Sequence, residues 1–302
     1  MNQIDLHCHT SASDGLLSPL QLYNRAKQQG IAMLAITDHD TVAAHYHLSS
    51  CLPADGPELI TGIELSTTWM KRSIHIVGLN FPLQHPDLTA LVRQQSEARK
   101  QRADYICERL AKALCKTRPG ITPEVVMSGA MAQAKKAQQS TDNTFRQPDN
   151  MIRLGRPHFA RWLKEEGIIN EMQDAFDHFL NNKNLGRLHT FWMPMAKGIA
   201  WLRALGATVV LAHPGKYRLT RTKLIQLITE FQQAGGHAME VASGNQNLEQ
   251  MLEIADFCRR FHLMASRGSD FHSPSPWTEL GKMPPLPEDL IPVWNHWSAT
   301  PI

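Results

Sequence analysis

The chain has 302 residues, 42% of them hydrophobic and 20% charged, which is ordinary for a folded globular protein with a sizeable core, one large α/β domain or one domain carrying an insertion. A formal net charge of +3 is too small to argue for nucleic acid by itself, and no apolar run approaches the length that spans a bilayer. Asp5 and His7 interrupt any leader pattern, and five cysteines without a CxxC pair fit reduced thiols in a cytoplasmic protein better than a disulfide framework.

In chain order, short apolar runs predict strands at Ile4–His7, Met33–Thr37, Leu59–Glu64, Ile74–Leu79, Thr208–Ala212, Ala238–Ala242 and Leu263–Ser266. Helical patterns fall at Pro19–Gln29, Pro194–Leu205, Leu219–Ala234 and Leu248–Phe261. Strands alternating with helices predict parallel βα units, and about seven of them suggest a barrel rather than an open dinucleotide-binding sheet. Between the fourth and fifth strands the rhythm breaks. A long helix is expected over Leu88–Leu114, with shorter ones near Pro123–Ala134, Arg156–Glu166 and Glu171–Leu180, and a polar loop over Lys135–Asn150. The chain is thus divided into a barrel part at 1–87, a mainly helical insertion at 88–188 that caps the substrate, and a second barrel part at 189–302. The final Pro- and Trp-rich segment, from Ser273, is expected to wrap the surface.

The polar residues carry the chemistry. A parallel barrel builds its site where the strands end, and here the strand ends carry His7 and His9, Asp38, His39 and Asp40, Glu64, His75, His213, Glu240, then Asp270 and His272. One such histidine is ordinarily a hydrogen-bonded rim residue; agreement across all the strands is what points to metal. His7 and His9 lie two apart and so share a face, while Cys8 turns away and packs; Asp5 shares the histidines' face one step deeper, as an acceptor that orients an imidazole. Nitrogen and carboxylate donors without thiolate suit Mn²⁺, Fe²⁺ or Zn²⁺. The donors are too many for one ion, and clusters of two or three bridged by a carboxylate serve phosphoryl chemistry.

The motifs "DLHCHTSASDG", "AITDHD", "GIELS", "HIVGL", "AHPG" and "GSDFH", in that order, resemble the polymerase and histidinol phosphatase (PHP) family of metal-dependent phosphoesterases. The resemblance implies a distorted (β/α)7 barrel holding three divalent metal ions, manganese above all. It also implies the ligand sets: His7, His9, Glu64 and Asp270 for one ion, Asp14, His39 and His272 for a second, and Glu64, His75 and His213 for the third, with Glu64 bridging.

The helical insert, with "RKQR" and "GRPHFARWL", resembles the branch of nucleoside 3′,5′-bisphosphate phosphatases and 5′→3′ exoribonucleases acting on short RNA. This implies hydrolysis of the 3′-phosphate of pAp and trimming of RNA 5′ ends; the mechanism we expect is in-line attack on phosphorus by a hydroxide bridging the metals. Arg99 and Arg102, three apart on one helix, share a face where they could clamp a phosphate, and Arg156 and His158 flank Pro157 at a helix start suited to an anion. These four are expected to grip the 5′-phosphate, with His158 as the alternative proton donor to the leaving group; Lys216 and Arg218 are weaker candidates on the same rim, and Lys135 and Lys136 are read as solvated. No membrane and no obligate protein partner is expected. Three rival readings are a histidinol-phosphatase-type phosphomonoesterase, a polymerase-type proofreading exonuclease, and a nucleic-acid-binding module with a dead metal centre.

Overall fold

Apolar runs become strands where both faces of the backbone can be buried. In the computed structural model, which describes residues 3–53, 55–139 and 145–297, they form β1 (Gln3–Cys8), β2 (Ile31–Ile36), β3 (Glu58–Trp69), β4 (Arg72–Leu79), the short β5 (Met193–Pro194), β6 (Thr208–Leu211), β7 (Ala238–Ser243) and β8 (Met264–Gly268). Their hydrogen-bonded order is β1-β2-β3-β4-β6-β7-β8, with β5 beside β3. The ring nearly closes, because Cys8 bridges to Phe271, His9 N donates to Phe271 O at 2.8 Å and Asp270 N donates to His7 O at 2.8 Å. The architecture is an α/β, distorted (β/α)7 barrel.

One strand departs from the expected parallel pattern. Trp69 pairs with Arg72, leaving only Met70 and Lys71 as the turn, both at positive φ (44° and 62°). A two-residue turn of that twist makes a hairpin, so β4 runs antiparallel to both β3 and β6. His75 therefore lies near the start of its strand, not at its end as read from the sequence. The reversal of β4 is what brings it to the rim where the parallel strands finish.

α1 (Pro19–Gln28) starts on a reciprocal cap, Ser18 Oγ accepting from Gln21 N and the Gln21 side chain accepting from Ser18 N. Leu22 and Tyr23 of this helix pack on Leu34 and Ile36 of β2. α2 (Ala43–Leu48) follows β2. α8 (Met195–Ala204), α9 (Arg221–Gln233) and α10 (Leu248–Arg260) place Leu202, Ile228 and Ile254 in one core with Leu65, Ile76 and Leu211 of the sheet. A separate cluster joins Ile4, Ala35, Ile60, Val77 and Val210 from successive strands to Val293 of the C-terminal segment. Trp297 Nε1 donates to Thr208 Oγ1 at 2.9 Å, so that segment covers the end where strands begin.

Between β4 and β5 come α3 (Pro86–Leu114), α4 (Pro123–Gln138), α5 (Arg156–Glu165), α6 (Met172–His178) and α7 (Asn182–Leu185). α3 is about 43 Å long at 1.5 Å per residue and belongs to two cores. Leu88 and Leu91 pack with the barrel, whereas Ile106, Leu110 and Leu114 pack with Val126, Phe159 and Leu163 of α4 and α5. Between these apolar ends the helix buries Gln95, Arg99 and Arg102. α4 extends to Gln138, so Lys135 and Lys136, expected in a loop, are helical and pair with Asp149 and Glu165; residues 140–144 of that expected loop lie outside the described residues. Among the described residues no helix is long and apolar enough to cross a membrane.

Candidate functional site

The rim residues His7, His9, Asp14, His39, Glu64, His75, His213, Asp270 and His272 form one cluster around Glu64. Glu64 Oε2 lies 3.4 Å from His7 Nε2, 3.3 Å from His9 Nε2 and 2.9 Å from His39 Nδ1; Glu64 Oε1 lies 2.9 Å from His75 Nδ1 and 3.0 Å from His213 Nε2. Asp270 Oδ1 is 3.3 Å from His9 Nε2, and Asp14 Oδ1 is 3.4 Å from His272 Nε2. A four-donor group is available at His9, Asp14, His39 and His272, and three-donor groups at His7, His9 and Asp270, at His39, Glu64 and His75, and at His7, Glu64 and His213.

These donors fit cations. His7 Nε2, His9 Nε2, Asp14 Oδ1, His39 Nδ1, Glu64 Oε2 and His213 Nδ1 are buried without a hydrogen-bond partner, a costly arrangement unless something else binds them. Imidazoles are also crowded face to face, His9 and His272 having ring centroids 4.1 Å apart. Burial would raise Asp14, Glu64 and Asp270, yet the surrounding histidines, with Lys216 at Asp270, hold all three well below the usual carboxylate range. Burial would likewise lower His272, but Asp14 and Asp270 carry it up to about 9; His9, where burial wins and His272 repels, falls to about 3.

Supporting groups hold the cluster in place. Glu240 Oε2 accepts from His7 Nδ1 at 2.7 Å and from His213 N at 3.4 Å, which fixes the His7 ring with Nε2 toward Glu64. That role was expected of Asp5. Its carboxylate instead accepts from the backbone N–H of His7, Ser269 and Gly281, because a register irregularity between Asp5 and Cys8 breaks the two-residue alternation on which the expectation rested. Cys8 is fully buried, its Sγ donating to Ala35 O. Asp38 ties the turn after β1 by accepting from Thr10 N, Thr10 Oγ1 and Ser13 Oγ. Tyr217 Oη accepts from His75 N at 2.9 Å.

Opposite the cluster is a cationic wall. A cavity of about 220 Å³ is bounded by Glu64, Asp270 and the histidines on one side and by Arg99, Arg102, Arg156, Phe176 and Trp192 on the other. Arg99 and Arg102 do share a face, both guanidinium groups lying over Trp192 at 5.4 and 5.2 Å. Their surroundings differ. Arg99 Nε donates to Asp40 Oδ2 at 2.6 Å and its Nη2 to Ser66 Oγ, while Asp40 also accepts from Ser66 N and Gln95 Nε2. Arg102 is equally buried, makes no ion pair among the described residues and leaves Nε unpartnered; burial, with Arg156 and Arg99 beside it, pulls it well below the usual guanidinium range. Arg156 lies 5.9 Å from the Phe176 ring.

His158 departs from its expected place. It is buried, its Nδ1 accepts from Gly155 N at 2.9 Å as a cap on α5, and it does not line the cavity. Burial and Arg161 push it down to about 4, so near neutral pH it is a neutral acceptor with no imidazolium proton to donate. Gly155 is needed where it stands, since a Cβ there would lie 2.6 Å from Asp14 Oδ2. Arg161 Nη2 donates to Asp14 O at 2.8 Å, so α5 buttresses the Asp14 turn. Sequence reasoning noted Asp40 and Glu240 only as strand-end carboxylates. It missed Trp192 and Gln95, for which no local pattern gives a signal.

Residues 5–147 match the model of the PHP domain. The 5′-3′ exoribonuclease Rnm of Escherichia coli (strain K12) is 39% identical over 97% of this chain and 93% of its own. The 3′,5′-nucleoside bisphosphate phosphatase of Chromobacterium violaceum is 32% identical over 99% of this chain and 98% of its own. A solved amidohydrolase from Chromobacterium violaceum, with bound sulfate and no metal, superposes with a TM-score of 0.80 at 32% identity, over 97% of this chain and 95% of that one. A solved chain from Bifidobacterium adolescentis, at a TM-score of 0.69 and 23% identity over 97% and 93% of the two chains, shares the fold.

Proposed function

The chain belongs to the PHP-domain family, and from that membership we propose that it is a phosphoesterase that removes the 3′-phosphate of nucleoside 3′,5′-bisphosphates, pAp to AMP, and trims short 5′-phosphorylated RNA from its 5′ end. One observation carries the reading: a single cavity sets the carboxylate–imidazole cluster against a buried arginine, Arg102, that makes no ion pair among the described residues. A substrate with two phosphates satisfies both walls.

His7, His9, Glu64 and Asp270 would hold one divalent ion, Asp14, His39 and His272 a second, and Glu64, His75 and His213 a third; manganese suits this donor set, as do iron(II) and zinc. Ions bound there supply Lewis-acid neutralisation of phosphate charge and lower the pKa of water. The chain's own residues do the rest. Arg102 and Arg156 take the 5′-phosphate, and Asp40 locks Arg99 so that its guanidinium backs Arg102 across Trp192. This places the 3′ phosphorus at the ligand cluster. A water oxygen joins phosphorus, the P–O3′ bond breaks, and the departing 3′ oxygen takes up a proton. His158 serves by capping α5 and so positioning Arg156, in place of the proton transfer expected of it. Residues 88–188 act in this scheme as the cap that brings the arginines. The buried thiols Cys8, Cys107 and Cys258 suit the reducing cytoplasm, where we place the reaction.

The test is a side-by-side assay of pAp, 3′-AMP and histidinol phosphate with manganese. Strong preference for pAp is the expected result; equal turnover of pAp and 3′-AMP overturns the 5′-phosphate anchor, and preference for histidinol phosphate overturns the substrate class.

A further inference from the structure

His213 is a wall shared by two cavities. On its other side lies a second one, of about 340 Å³, lined by Lys216, Arg218, Ser243, Asn245 and Gln250 among others. Among the described residues its lining offers two cations, several amides and a hydroxyl, and no carboxylate. Gln250 stands in the first turn of α10, so the cavity also meets the positive end of that helix. Ser243 is only 3% exposed, and its Oγ is buried without a hydrogen-bond partner. Such a hydroxyl in a cavity wall is a donor left for a ligand. Lys216 joins the two cavities, its Nζ donating to Asp270 Oδ2 at 2.7 Å.

We propose that this second cavity binds the nucleotide that follows the scissile phosphate of an RNA substrate, so that the strand crosses the ligand cluster with its 5′ end held by Arg102 and Arg156. The inference rests on the proposed function, which fixes the 5′ end in the first cavity. The reaction balances on that placement. The water oxygen bonds to phosphorus, the P–O3′ bond breaks, and the 3′ oxygen leaves with a proton as part of a 5′-mononucleotide. The phosphate stays on the shortened RNA as its new 5′-phosphate. A bisphosphate such as pAp ends at that phosphate and leaves the second cavity empty. The two substrates therefore make different demands on one site, and the residues of the second cavity serve RNA alone.

Three substitutions test this without disturbing the fold. Asn245→Gly removes an amide at a position whose φ of 59° glycine adopts freely; Gln250→Ala lies on an exposed helix face; Arg218→Gln removes the charge of an exposed side chain and leaves a shorter neutral one. Each is assayed with manganese on pAp and on a 5′-phosphorylated tetranucleotide RNA. Binding of the same RNA, labelled at its 3′ end, is measured by anisotropy on metal-free protein. The expected result is a fall of about tenfold in kcat/KM on RNA, a matching rise in RNA Kd, and pAp hydrolysis changed less than about twofold, the size of one lost polar contact to a charged strand. Unchanged RNA trimming in all three variants overturns the subsite, and so does parallel loss on both substrates, which would give the cavity to the nucleoside common to them. A wild-type protein that hydrolyses neither substrate overturns the proposed function itself, and the subsite falls with it.

Discussion

At the scale of single residues, Arg102 and Asp40 make opposite predictions. Arg102 is a buried cation that makes no ion pair among the described residues, so its contact over Trp192 offsets only part of its desolvation. Arg102→Met should leave the melting temperature unchanged or higher, lower kcat/KM on pAp about a hundredfold, and change 3′-AMP hydrolysis less than about threefold. Thermal melts and paired kinetics check this, and loss of stability would show that Arg102 is structural. Asp40→Ala does the reverse. It strands the buried Arg99, whose Nε it holds at 2.6 Å, and should cost about 3–5 kcal/mol in denaturant unfolding. Glu240→Gln leaves the fold intact but loosens the His7 ring; metal content measured by titration should show affinity about 10–100-fold weaker.

At the scale of elements, the start of α5 is where the helices between β4 and β5 meet the Asp14 turn. Gly155→Ala puts a methyl group 2.6 Å from Asp14 Oδ2, so the substituted protein should lose metal from the Asp14, His39 and His272 group first, seen as reduced metal stoichiometry. The same element sets a pH dependence. His158 is held near 4 in the fold against about 6.5 when unfolded. The unfolded chain then binds more protons between these values, so stability falls as pH drops from 6.5 to 4, by about 3 kcal/mol at most. Denaturant unfolding over that range should fall less steeply for His158→Gln than for the wild type. Much of this architecture was legible beforehand. Strand ends carry ligand types because a barrel rim is where backbone order stops and side chains converge, and that regularity is local. What escaped was non-local or conformational. The reversal of β4 hangs on Met70 and Lys71, which carry no glycine or asparagine to announce a tight turn. The exchange of Asp5 for Glu240 follows from an irregularity in β1, and the shielding of His158 depends on which of its nitrogens meets Gly155.

At the scale of the molecule, candidate ligands from β1, β3, β4 and the loops after β1, β2, β6 and β8 meet at one point, so an ion bound at that point would couple the whole ring. Chelation should abolish phosphatase activity and lower the melting temperature, with manganese restoring both. Loading should also release protons, because His272 is held protonated up to about 9 in the metal-free cluster. Calorimetric titration in buffers of different ionisation enthalpy should show proton release at pH 7 and tighter binding at pH 8.5.

The turn at Met70 and Lys71 has a consequence for how the chain assembles. Glu64 and His75 are separated by only 11 positions and share a hairpin, which closes in microseconds. Asp270 N and His7 O, by contrast, join the two ends of the ring across nearly the whole sequence, and the loop entropy of that contact must be overcome late. Two of the nine residues of the cluster are thus gathered early by a local element, while His7, His9, Asp14, Asp270 and His272 wait for the ring to shut. Metal-dependent activity should therefore appear with the slowest refolding phase, making catalysis itself a clock for barrel closure.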